Sequence, residues 1–458
     1  MSAQQNERDV TRTPLAYSRA FTAALNPGRA HDRRTNLGHT YQRPYNQSSY
    51  DVTPRSSATP RRTFTNASST KQYEAVVVGA GPAGITVLGN LLERGVQPIL
   101  WVDDRFNAGR VNARYREVPS NTKVKLFLDF ATGTAPFRDI VDAPKASEET
   151  SKSEALNMFD SLDPDKGCHL SHAADMLLML TEGLKQTVGV DARQGKLSGG
   201  VFDETTNSWK VEMDNGDAVQ SKRLVLCTGS SPNNSPLPVH IANLKNIDLD
   251  EALSPTKLTE KLSSIGEANI AVIGASHSAV LILRNLYNIA KTMPGIKVKW
   301  FTRHNLRYAE YMDGWILRDN TGLKGEAATW AKENLEPETM PSSDVSKYIT
   351  KVLYKAGTEK ETFAEHFQDV NYYIQAIGFD RNPIPRLTTS KGKELVPKFD
   401  HDTGGFTFDE DHTSKVPGLY GAGIAWPERV KDPYGNVEYA VGFFKFMEFV
   451  KRVSPNWN

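Results

Sequence analysis

Cysteine is nearly missing from this chain: there are two in 458 residues, Cys168 and Cys227, and no Cys-x-x-Cys pair. That count excludes a disulfide scaffold and a dithiol electron relay, and it suits a reducing compartment. Long apolar runs are missing too. No uninterrupted stretch reaches the roughly 18 residues of a membrane helix, and mean hydropathy is −0.48. The apolar C-terminal stretch Val437–Val453 is broken by Glu438, Lys445, Glu448 and Lys451, which predicts a packed amphipathic helix and no membrane span. Charge of either sign is not in excess. The net charge of +1 points to no nucleic-acid partner.

What remains is an ordinary globular composition, 39% hydrophobic and 24% charged, in a chain long enough for about two to three domains. Residues 1–70 differ from the rest. They hold ten arginines, no lysine and four acids, Glu7, Asp9, Asp32 and Asp51, for a net charge of +6. They lack the apolar periodicity that builds a core, so a disordered Arg/Ser-rich tail is expected. The same composition suits an organelle transit peptide, which leaves a cytoplasmic or a mitochondrial location open.

Ordered sequence is expected from Tyr73. Ala75–Val78 reads as a buried parallel strand, Ile85–Leu92 as a helix ended by Gly95, and Pro98–Val102 as the next strand, together a βαβ unit. A second unit follows: strand Ile270–Ile273, helix Ser278–Ile289, strand Val298–Phe301. Between them lie a helix at Ala173–Leu184, a segment of alternating pattern at Trp209–Met213 and a buried strand at Leu224–Cys227. Beyond the second unit the pattern predicts helices over Gly325–Asn334 and Val345–Tyr354 and a strand over Tyr372–Ala376. The pair of glycine-rich units is the one internal similarity.

The first unit carries Gly79-Ala80-Gly81-Pro82-Ala83-Gly84 between its strand and its helix. Gly79 permits the tight turn, Gly81 lets a diphosphate approach the backbone, and Gly84 allows close helix–strand packing. The diphosphate then lies at a helix N-terminus. Asp103, ahead of Asp104, ends the second strand where a carboxylate takes ribose hydroxyls. The second unit reads Gly274-Ala275-Ser276-His277-Ser278-Ala279. It keeps the first glycine, and small residues replace the other two. Its second strand ends near Arg303 and Arg307; arginine there suits the 2′-phosphate of NADP, where an acid would select NAD, with solvation of a strand end as the plain alternative. Cys227-Thr228-Gly229 and Ala376-Ile377-Gly378 are similar strand ends. They read as two crossings between a first domain and one inserted in it, with glycines turning close to cofactor.

These motifs resemble the flavoproteins with two dinucleotide-binding domains, and among them the class B flavin monooxygenases, including flavin-containing monooxygenases and the lysine and ornithine N-hydroxylases. The likeness covers residues 73–458. Ala376-Ile377-Gly378-Phe379 with Pro383 is similar to the N-hydroxylase Ala-Thr-Gly-Tyr element, and Val416–Gly423 resembles the strand beneath the flavin. Ile424 stands where the family often has Asp, and Ile377 where the N-hydroxylases have Thr. The resemblance implies an α/β fold: an FAD-binding Rossmann-like domain (71–230 and 375–458) with an inserted NADP-binding one (231–374). It implies FAD and NADPH as cofactors. It also implies a small-molecule substrate, an amine or similar soft nucleophile, hydroxylated through a flavin peroxide. Arg110, Arg114, Asn121, Thr122 and Lys123 follow the first unit and are candidates to face the flavin, Arg110 as a cofactor ligand and Asn121 and Lys123 for catalysis; a solvated loop capping FAD is the plain alternative. Asp313, in the crowded segment Arg307–Leu323, is a candidate to act on substrate, with packing between domains as its alternative. An NAD(P)H:acceptor reductase and a flavin-binding protein without turnover are the competing functions. Association into a homo-oligomer stays open.

Overall fold

Short β-branched runs that end in glycine build the centre of the molecule. The computed structural model describes residues 71–143, 154–408 and 413–458, all within one compact unit. The expected tail over residues 1–70 lies outside the described residues. Strand Gln72–Val78 is paired in parallel on both sides, by Ile99–Asp103 and by Ala218–Leu226. It is the middle of a ten-stranded sheet. Helix Pro82–Glu93 connects the first two strands. Its face toward the sheet, including Ile85, Leu88 and Leu91, is fully or almost fully buried with Phe130, Phe137 and Leu177. Antiparallel strands Leu197–Asp203 and Ser208–Met213 extend one side of the sheet, and strand Lys415–Gly421 returns from the C-terminal region to pair with Ala218–Leu226.

A second, five-stranded parallel sheet centres on Ala268–Ile273, between Ile296–Thr302 and Tyr372–Gln375. It carries its own core around Leu258, Val272, Ile282, Leu286 and Trp300. The segments joining the sheets run side by side, because Ser230–Pro232 pairs antiparallel with Phe379–Arg381. Among the described residues, no helix is long and apolar enough to cross a membrane.

Two expected helices are corrected. Val345–Tyr354 is not helical: a 3-10 turn at Asp344–Lys347 leads into strand Ile349–Leu353, which pairs with Ile296–Thr302. Lys347 and Lys351 suggest a polar helix face, but the β-branched Ile349, Thr350 and Val352 fit the open edge of the sheet. The helix expected over Val437–Val453 begins only at Phe443; Val437–Ala440 is a strand paired with Glu428–Lys431. Gly442, with φ of 151°, makes the break, a backbone state that few other residues reach.

Candidate functional site

The first glycine loop is locked from below and open above. Gly79 has φ of 105°, and a Cβ there would stand 2.4 Å from the Cys227 carbonyl oxygen. A Cβ on Gly84 would stand 1.8 Å from the Gly79 oxygen, so both positions demand glycine. Gly81 is the opposite case, with nothing within 4 Å of the place a Cβ would take. No side chain caps the helix that starts at Pro82, so its first amides and its dipole face that space. Thr228, at the adjacent crossing, has a buried hydroxyl oxygen with no hydrogen-bond partner. Gly423 packs so closely on Ala83 that a Cβ would come within 2.4 Å of its methyl.

Asp103 sits beside this loop. One carboxylate oxygen accepts the Ala80 N–H at 2.7 Å; the other accepts Arg105 and Phe106 N–H groups at 2.8 and 2.7 Å. A carboxylate has about four acceptor sites, so one remains for a ribose hydroxyl. Open backbone at Gly81, uncapped amides, a free Thr228 oxygen and a fixed carboxylate fit the diphosphate and ribose of FAD.

The second loop repeats the frame with different chemistry. Gly274 has φ of 132°, and a Cβ would stand 2.3 Å from the Ala376 oxygen. Here Ser276 caps the helix: its hydroxyl accepts from the Ala279 N–H at 3.3 Å and donates to the Ala376 carbonyl at 3.0 Å. His277 follows and Ser278 lies in the first turn. The Nδ1 of His277 is buried without a partner. Burial pushes its imidazole down to about 4, against a hydrogen bond to the Pro119 carbonyl that acts the other way; Lys324 lowers it further. A neutral ring with a free acceptor nitrogen suits a hydroxyl or amide of a dinucleotide. Arg303 is exposed just past the end of strand Ile296–Thr302. These groups fit NADP, at a helix start that Ser276 caps where the first loop's has no side-chain cap.

A strap over residues 109–122 joins the two loops. A Cβ on Gly109 would lie 3.2 Å from the Gly81 Cα. Arg110 is not turned freely toward the loop: it pairs with the buried carboxylate of Asp250, which also accepts from Tyr115 at 2.7 Å and lies 3.8 Å from Arg114. Glu117 accepts from Ser254 and Thr256, and Val118 enters the core of the second sheet. The strap then reaches Pro119, against His277, and Asn121, whose Cα lies 3.8 Å from a Cβ built on Gly325. Asn121 is exposed and Thr122 half-buried. Lys123 pairs with Asp165 at 3.3 Å at the surface, which commits its amine elsewhere. A cavity of about 480 Å³ opens along the strap between Arg110, Arg114, Ser231, Asp250 and Lys257.

The segment around Asp313 forms a hairpin, Glu310–Tyr311 with Ile316–Leu317. Asp313 is exposed at its tip. Trp315 packs edge-on against Tyr434 at 5.0 Å. Beyond the hairpin, Asp319 pairs with Lys445 at 2.6 Å and with Lys324, and Glu438 accepts from Asn320 at 2.9 Å and from Thr321. These pairs hold Asp319 below the usual carboxylate range although burial acts the other way. The segment thereby docks on the C-terminal strand pair and helix.

Several residues that build the site carried no sequence signal by themselves. Trp101 donates from Nε1 to the Gly79 carbonyl at 2.9 Å, and Trp300 donates to the Gly274 carbonyl at 2.7 Å. Aligning the two units would have found this pair. Asn382 ties the crossings together: its side chain donates to the Thr228 carbonyl at 2.8 Å and accepts from Ser231 at 2.7 Å. Gly229 and Gly378 take φ of 70° and 114° there.

Residues 73–431 match the pyridine nucleotide-disulphide oxidoreductase family. The chain belongs to that family. It is 47% identical over 397 residues to the monooxygenase AgnR1 of Paecilomyces divaricatus, covering 85% of this chain and 99% of that one. Two crystal structures share the fold at 13% identity and a TM-score of 0.50: cyclohexanone monooxygenase in an open form (84% of this chain, 87% of that one) and cyclohexanone monooxygenase from Rhodococcus sp. Phi1 bound to NADP+ (85% and 84%). The family's name includes disulphide chemistry, which these residues cannot perform. Cys168 and Cys227 are free and buried, and burial pushes the Cys168 thiol up to about 11 and the Cys227 thiol higher still.

Proposed function

We infer that the protein is a flavin-dependent monooxygenase that binds FAD at the first glycine loop and draws electrons from NADPH at the second. The observation that carries this reading is the strap over residues 109–122, which begins against Gly81 and ends against His277 and so spans both nucleotide loops. Membership of an oxidoreductase family and the identity to a monooxygenase support the reaction class. Bound FAD supplies the redox chemistry: two electrons from NADPH, with a proton, reduce dioxygen so that one oxygen atom enters the substrate and the other leaves as water. The chain's own groups do the rest. The amides beside Gly81 and the hydroxyl of Thr228 hold the resident cofactor, and Asp103 takes its ribose. Ser276 and His277 orient the electron donor, with Arg303 on its 2′-phosphate. Asn121, exposed at the end of the strap, is the candidate to touch the reacting atoms, ahead of Lys123. Asp313, exposed at the hairpin tip, is the candidate to act on substrate.

The test is oxygen-18 incorporation. With NADPH and a panel of amines, sulfides and phenols under ¹⁸O₂, one label per NADPH oxidised is expected in a product. Rapid NADPH oxidation that reduces a quinone and leaves every panel compound unlabelled would favour the acceptor reductase.

A further inference from the structure

Arg381 ends the crossing strand Phe379–Arg381. Its guanidinium lies 4.5 Å from the centre of the Trp426 ring, and that ring is itself 5% exposed. The backbone N–H of Trp426 donates to the Gly423 carbonyl at 2.9 Å. The platform under the arginine is therefore the turn after strand Lys415–Gly421, whose Gly423 packs against Ala83 of the first loop. Arg386, the next arginine in the chain, and Arg429, which acts on the same His401, each have a carboxylate partner; among the described residues Arg381 has none within ion-pair distance. Arg381 is exposed, although partial loss of solvent holds its guanidinium below the usual arginine range.

The surroundings are cationic and apolar. His401 lies in the field of both Arg381 and Arg429, and its ring centre is 4.9 Å from that of Tyr439. Asp402, an acid that acts on His401, is already bound by Arg429 at 2.8 Å. Ile424 and Ile377 keep 38% and 40% of their surface accessible, and Tyr439 keeps 40%. Ile424 is part of the Trp426 turn, and Ile377 precedes Arg381 by four residues. A guanidinium with no acid, stacked on a ring beside exposed apolar side chains, matches an anion carried on an aromatic body.

We propose that Arg381 is a specificity-determining residue that takes the carboxylate of a ring-bearing substrate, with Trp426 beneath the guanidinium and Ile377, Ile424 and Tyr439 beside the substrate ring. The inference rests on the monooxygenase reading for the word substrate. The other source of an anion is a phosphate of the dinucleotide, but Arg303, at the far edge of the second loop, is placed for that.

The experiment uses the full-length, FAD-loaded protein and reads binding without turnover. 2-Naphthoate and 2-naphthamide are titrated by flavin and tryptophan fluorescence against the wild type, Arg381→Gln and Arg381→Lys, each checked for its melting temperature. The acid is expected to bind the wild type about tenfold or more tightly than the amide. That ratio should fall to near one in Arg381→Gln and be partly kept in Arg381→Lys, with NADP+ affinity unchanged throughout. Equal affinity of acid and amide, or binding of neither, would overturn the proposal. So would loss of NADP+ affinity in Arg381→Gln, which would assign the arginine to the cofactor. Should Arg381→Gln fail to fold, the wild-type ratio and the Arg381→Lys protein still decide. A protein that cannot hold FAD defeats the monooxygenase reading; a yellow protein that treats acid and amide alike defeats this proposal alone.

Discussion

The two glycine loops share one frame and differ in what they leave free. In each, the first glycine sits over the backbone of a neighbouring strand end, Cys227 in one and Ala376 in the other. In each, that glycine's N–H donates to the second strand of its unit, to Val102 at 2.7 Å and to Phe301 at 2.9 Å, and a tryptophan from that strand holds its carbonyl. Above the frame they part. The first loop has open backbone at Gly81, an uncapped helix and an acid at the strand end. The second has given one helix amide to Ser276 and presents an arginine. A helix start with no side-chain cap suits a resident diphosphate, and one that has capped an amide by itself suits an electron donor that must come and go.

The largest expected effect separates the glycines within the first loop. Gly81→Val should fold, with a melting temperature within about 2 °C of wild type because its side chain meets nothing, yet it should purify with almost no FAD and no activity. Gly84→Ala should instead lower stability by about 1–3 kcal/mol or more, read from thermal unfolding. The reverse pattern would mean that Gly81 does not face the diphosphate.

Next in size is the difference in charge. Arg303→Ala should raise the KM for NADPH about tenfold and leave that for NADH and the FAD content unchanged. Equal losses with both nucleotides would remove the arginine from the 2′-phosphate.

The shared frame should respond in parallel. Trp101→Phe and Trp300→Phe each remove one hydrogen bond, worth about 1 kcal/mol or roughly fivefold in affinity. The first should weaken FAD retention and the second should raise the KM for NADPH. If either change moved both cofactors equally, the loops would not be independent sites.

The smallest effect comes from His277. Its folded pKa, about 4, lies below the ordinary value near 6.5, so the unfolded chain takes up a proton first as the pH falls. The stability it contributes is complete above pH 6.5 and is lost between pH 6.5 and 4. Wild type should therefore lose about 2–4 °C more in melting temperature over that window than His277→Asn.

The first sheet's central strands and both glycine loops were legible because their signals are local: a β-branched run, a turn only glycine can make, a helical period. The helix expected at Val345–Tyr354 shows where local signals end, since its edge strand exists only because Ile296–Thr302 offers a partner. The break at Gly442 was readable in principle, but the apolar residues on both sides of it suggested one continuous helix. Asn382, the pairing of Arg110 with Asp250, and the docking of Lys445 on Asp319 join residues more than a hundred positions apart, and no pattern along the chain brings them together. Separation along the chain also hid Arg381, whose ring platform at Trp426 comes from a later segment.

The most direct measurement is the visible spectrum of the purified protein before and after anaerobic NADPH. A yellow protein whose flavin band is bleached by stoichiometric NADPH is the result this account requires. A colourless protein that free FAD cannot reconstitute, or a bound flavin that NADPH leaves oxidised, would contradict it.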